Sequence, residues 1–165
     1  MLLLRSYSEL VSISSTFPTI EARSLDGVNV QLPQAFTGER NVVIVAFQRE
    51  HQKLVDSWVP WLEEQAAADP SLRFYELPVI GRMWAPVRKF IDGGMAAAIR
   101  IPEVLQRTLT IYGDVGRVTT PLQITDKSSI SVLVVDARGT VHWKTTGGFT
   151  THNATALATA LASLH

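Results

Sequence analysis

The sequence predicts an α/β fold: one mixed central sheet with helices on both faces, an N-terminal β-hairpin and a helical insertion. Three observations carry that reading. The run Asn41-Val-Val-Ile-Val-Ala-Phe47 is continuously apolar and β-branched, which suits a strand covered on both faces. Directly after it the period changes, with Leu54, Val55, Trp58, Leu62 and Ala66 recurring at helical spacing. Late in the chain, two β-prone runs flank Asp136-Ala-Arg-Gly139, a hairpin signal that adds an antiparallel pair.

The 165 residues are one domain's worth of chain, long enough to bury a core without a disulfide or metal staple. With 46% hydrophobic and 18% charged residues, neither a disordered chain nor a coiled coil is expected. Fifteen basic residues balance fifteen acidic ones, which argues against nucleic acid as a partner. No apolar run is long enough for a transmembrane segment, and Met1-Leu-Leu-Leu-Arg5 is too short for a signal-peptide core, so a cytoplasmic chain is expected. Cysteine is absent. That removes zinc–thiolate sites, iron–sulfur clusters and every thiol nucleophile.

Taken in order, residues 1–15 read as an N-terminal extension and 16–165 as a single domain. Phe17 to Ala22 is extended, because Pro18 disfavours the helical region for its predecessor. Leu25-Asp-Gly-Val28 then turns into the alternating Val28–Leu32 strand, completing a hairpin. The central strand and its helix follow, with Pro60 inside the helix and a kink expected there. Leu72 to Leu77 is the next strand, closed by Pro78. Residues 80–106 read as the insertion, with short helices over Trp84–Ile91 and Met95–Arg100 and a turn at Pro102. Thr108–Tyr112 is a third run of strand, followed by a loop or short helix from Gly113. Ile130–Val135 and Thr140–Thr145 form the late hairpin, and Asn153–Leu164 is a closing helix with Thr151 or Asn153 as N-cap.

This layout resembles the thioredoxin fold, in the elaborated form of peroxiredoxins and TlpA-like redoxins. Three stretches carry the resemblance: FPTIEARSLDGVNVQL from Phe17, NVVIVAFQREHQKLVDSWVPWLEE from Asn41, and SVLVVDARGTVHWKTTGG from Ser131. The redoxin pattern places its catalytic cysteines eight and five residues before the helix proline, which here are Gln52 and Val55. It places its cis-proline six residues before the hairpin aspartate, where Ile130 stands. A trans bond is expected before Ile130, since a cis bond there costs about 2.5–4 kcal/mol. The resemblance thus implies a scaffold without thiol–disulfide exchange or cysteine peroxidase chemistry, both of which need a thiolate. FQREHQKLVDSW, the insertion with Trp84, and VHWKTTGG are also similar to the branch containing the mitochondrial ATP synthase assembly factor. That similarity implies a chaperone-like or assembly-like protein with a protein partner.

Two surfaces stand out. Arg49, Glu50 and His51 form a polar cluster after the central strand, where ligands bind in open α/β sheets and a helix N-terminus attracts anions. It reads either as an ordinary solvated first turn or as the site of a cysteine-independent enzyme or small-anion binder. In the insertion, Arg82, Arg88, Lys89, Arg100 and Arg107 exceed Asp92 and Glu103 by three charges, beside an apolar face containing Trp84 and Phe90. That face suits a partner protein, an anionic membrane surface or plain packing over the sheet. Trp58, Trp61 and Trp143 are expected in or at the edge of the core. His51, His142 and His152 lie at no metal-ligand spacing, so no metal and no cofactor is expected. No nucleophile elbow, dinucleotide fingerprint or phosphate loop is present. The expected function is a redox-inactive protein-binding module; the sequence leaves open whether it pairs with a copy of itself.

Overall fold

The computed structural model describes residues 15–81 and 101–164. The strands are β1 (Ile20–Ser24), β2 (Asn29–Leu32), β3 (Arg40–Ala46), β4 (Leu72–Gly81), β5 (Leu109–Gly113), β6 (Ser131–Asp136) and β7 (Val141–Thr146). The helices are α1 (Gln52–Ala68), α2 (Pro102–Arg107), α3 (Gly116–Thr119) and α4 (Thr151–Ala162), with a 3-10 turn at Arg49–His51. The strands form one sheet in the order β2-β1-β5-β4-β3-β6-β7. β3, β4 and β5 run parallel, while β6 pairs antiparallel with β3 and β1 pairs antiparallel with β5. This is the mixed α/β sheet that the alternation of periods predicts.

The two-sided burial of β3 follows from its strand alternation. Val42 and Ile44 point into a cluster with Val55, Trp58 and Leu62 of α1 and Leu157 and Leu161 of α4. Val43 and Val45 point into a second cluster with Phe17, Phe36, Val118 and Leu122 on the other face. Both predicted hairpins form. Gly27 and Gly139 close their turns with φ of +91° and +87°, a left-handed region that favours glycine.

Three expectations need correction. Strand β4 does not close at Pro78 but runs to Gly81. Pro78 is the last residue paired with β3, and from Val79 the strand pairs with β5 instead. The missing N–H therefore falls where the ladder changes partner. Pro102 opens helix α2 at its first position rather than making a turn, a place where proline's missing donor costs nothing. The N-cap of α4 is Thr150, whose hydroxyl accepts from Asn153 N–H at 3.0 Å, so Thr151 and Asn153 lie within the first turn. Helix α1 runs through Pro60 as one 17-residue element. Residues 1–14 of the predicted N-terminal extension and the two predicted insertion helices, with Arg82, Trp84, Arg88, Lys89 and Phe90, lie outside the described residues.

Candidate functional site

Helix α1 begins at the C-terminal end of β3, and its first turns set the positions of Gln52, Val55 and Asp56. Trp58 anchors it. The ring is fully buried, and its Nε1 donates to Gly147 O at 3.0 Å. Trp58 also meets Trp61 and Phe149 edge-on at 6.1 and 5.5 Å. Trp61 and Trp143 are partly buried against the same cluster, at its edge as expected. Gly148 lets the chain pass close to α1: a Cβ there would lie 3.1 Å from both Leu54 Cδ2 and Ser57 Oγ.

The positions that correspond to the redoxin pattern divide between surface and core. Gln52 is exposed and donates from Nε2 to Asp56 Oδ1 at 2.9 Å. Val55 is buried, and Ile130 is buried in the same cluster. Among the described residues the cis peptide bond is Leu32–Pro33, so the bond before Ile130 is trans.

The polar cluster does not converge. Arg49 and Glu50 are exposed, whereas His51 is turned inward and buried. Its Nδ1 accepts the Phe47 N–H at 3.0 Å, which makes Nε2 the protonated nitrogen of the neutral ring, and that atom is buried without a partner. The histidine therefore closes the loop after β3. His142 sits at the opposite end of the sheet, its Nε2 2.7 Å from Asp136 Oδ2. The two histidines are not brought together. Burial acts to raise the Asp136 carboxyl, but His142 and the N–H groups of Thr140 and Arg138 outweigh it and hold it low. Lys144 donates to Leu122 O and Gln123 O, and its burial lowers its pKa. Among the described residues no three acidic or histidine side chains gather as a metal site.

A cleft of about 450 Å³ opens beside Gln52 and Val55, between α1, the end of β4, and α2. Ala46, Val59, Leu77, Pro78 and Val104 supply its apolar walls. Its polar groups are Gln52, Asp56, Glu63, Glu76, Arg107 and Thr108, of which the sequence marks Gln52 and Arg107. Arg107 is not a free surface charge. Its Nη2 donates to Glu63 Oε1 at 3.1 Å, and its guanidinium lies 4.3 Å from the Phe74 ring centroid.

Glu76 is the unexpected residue. It shares strand parity with Leu72 and Phe74, so β4 aims it at the α1 side of the sheet. Burial pushes its carboxyl above the ordinary glutamate range, against the opposing pull of Thr108 and Arg107. Its hydrogen bonding agrees. Thr108 Oγ1 lies 2.8 Å from Val104 O and 3.0 Å from Glu76 Oε2, yet the hydroxyl has one proton to give. When that proton goes to Val104 O, a proton on Glu76 completes the chain.

A raised folded-state value means that the native protein holds this proton at pH values where the unfolded chain has lost it. Stability then falls as pH climbs from the ordinary value of 4.5 through the raised one. Glu76→Gln should remove that slope. Urea denaturation between about pH 4 and pH 8 should show the variant gaining on the parent as pH rises. A constant difference would contradict the assignment.

The arrangement of sheet, helix α1 and late hairpin is the thioredoxin-like fold, built here without cysteine. The chain is similar in structure to the exposed lipoprotein thioredoxin Etrx1 of Streptococcus pneumoniae, with a TM-score of 0.59, 12% identity, and 87% of this chain and 98% of that one covered. It is similar to the thioredoxin domain of a thiol-disulfide oxidoreductase from Bacteroides vulgatus, with a TM-score of 0.57, 18% identity, and 88% and 96% covered. BsSco, of the Sco family of cytochrome c oxidase assembly proteins, matches at a TM-score of 0.59, 14% identity, and 90% and 92% coverage. Neither a family model nor a curated protein matches the sequence significantly. Among the described residues no helix is long and apolar enough to cross a membrane.

Proposed function

We propose that this chain is a redox-inactive thioredoxin-fold module that binds a partner protein at the cleft beside Gln52 and Val55. The observation that carries the reading is the cleft's place: it opens at the C-terminal edge of the parallel strands, where open α/β sheets bind their ligands. The two positions corresponding to the redoxin cysteines, Gln52 and Val55, line it, so the scaffold keeps a concavity where thiolate chemistry is gone. The structural likeness to an assembly protein of the Sco family is consistent with an assembly-like role. The alternative small-anion site at Arg49, Glu50 and His51 has less support, because His51 is committed to Phe47 and the cleft is lined by other residues. Photo-cross-linking in the source cell, from benzoylphenylalanine placed at Gln52, tests the proposal. A discrete protein adduct is expected, and its absence would remove the docking role.

A further inference from the structure

Lys144 of β7 holds a turn that belongs to another part of the chain. In the β6–β7 ladder it stands opposite Leu133, so its stem leaves on the face that carries Val118 and Leu122. Its Nζ donates to Leu122 O at 3.0 Å and to Gln123 O at 2.7 Å. Those carbonyls lie in the turn that follows α3. There Ile124 N–H bonds Thr119 O at 2.9 Å and Gln123 N–H bonds Thr120 O at 3.1 Å, the paired closure of a helix C-terminus. Gln123 occupies the left-handed position of that closure, with φ of +55°, where glycine is usual. The closure satisfies the carbonyls of Thr119 and Thr120, and Lys144 satisfies those of Leu122 and Gln123.

Among the described residues no carboxylate pairs with Lys144. Two neutral carbonyls support an ammonium less than a carboxylate does, and loss of water lowers its pKa. The uncharged amine fits the same seat. It has two protons, one for each carbonyl, and its lone pair takes the remaining corner of the nitrogen. The residue is exposed, so an electrophile in solution can reach it.

We propose that Lys144 is a modification site, acylated by activated acyl donors of the acyl phosphate or acyl thioester class. The Nζ lone pair attacks the acyl carbon. The C–N bond forms as the C–O or C–S bond breaks, phosphate or thiolate leaves with that electron pair, and the nitrogen gives one proton to solvent. The resulting amide has a single N–H for two carbonyls. Leu122 O or Gln123 O then loses its partner, and the left-handed turn at Gln123 loosens.

The test is acetylation of the full native chain with acetyl phosphate and, separately, with acetyl-coenzyme A, read by mass spectrometry after digestion. Lys144 should react at least about threefold faster than Lys53 and Lys127, an advantage that vanishes in urea because the fold creates it. Amide exchange at Gln123 and Ile124 should quicken once Lys144 is acetylated. Lys144→Arg keeps donors for both carbonyls and takes no acetyl group, so its exchange there should stay slow with either reagent. Reaction with one reagent alone supports the site and identifies the donor. If neither reagent favours Lys144, if the preference survives in urea, or if exchange at Gln123 and Ile124 ignores the acetyl group, the proposal is overturned.

Discussion

Trp58→Ala should lower the free energy of unfolding by about 3–5 kcal/mol in urea titrations, the largest loss expected from a single side chain in this fold. The ring is fully buried between α1 and the sheet, and nothing nearby can refill its volume without moving the helix. Its removal also takes the donor from Gly147 O and two edge-on ring contacts from Trp61 and Phe149. Trp58→Phe separates the terms. It keeps most of the volume and loses the hydrogen bond, so a cost of about 1–2 kcal/mol is expected. A loss below about 1 kcal/mol for the alanine variant would mean that α1 is held by something else. Since Gln52, Val55, Asp56 and Val59 all ride on α1, the cleft should be perturbed with it.

Asn41→Ala should cost about 3 kcal/mol, the second large effect. Asn41 is fully buried on central strand β3 and satisfies three backbone groups at once. Its Oδ1 accepts the Gly38 N–H at 2.9 Å, while Nδ2 donates to Gly38 O at 2.9 Å and to Val135 O at 3.2 Å. Alanine leaves these groups unpaired in a site that water reaches poorly. Asn41→Asp is the sharper variant, because an ionised carboxylate has no donor for the two carbonyls it faces. It should be worse than alanine at pH 7 and recover part of the difference at low pH, where a proton returns a donor. Indifference to pH would contradict the hydrogen-bond account.

Features whose signals are local were legible in the sequence. Val42 to Val45 declared a two-sided strand, Trp58 fell on a helical stripe, and Gly27 and Gly139 marked turns that need positive φ. Features that depend on partners were not. Pro78 reads as a strand end until β4 is seen exchanging β3 for β5 at that residue. Pro102 punctuates the sequence equally well as a turn or as a helix start. His51 looked like a surface neighbour of Arg49 and Glu50, but only the fold shows that its ring accepts from Phe47 N–H.

The cleft was half legible. Gln52 and Val55 emerged from the redoxin pattern, whereas Glu76 passed as one polar residue in a mixed strand. Its signal was its parity with Leu72 and Phe74, which places a carboxyl on a buried face. Asp56 and Glu63 belong to the polar side of a helix and carry no mark of their own. Arg107 was grouped with the basic insertion, yet it is bound to Glu63 from the other side of the cleft.

Cross-linking from position 52 compared with position 138 tests the central claim most directly. Arg138 is exposed in the β6–β7 turn, at the end of the sheet away from the cleft. Benzoylphenylalanine at 52 should capture one discrete protein that the same probe at 138 does not, and the purified chain should neither reduce insulin nor consume peroxide. Equal capture from both positions, or none from 52, would contradict the account.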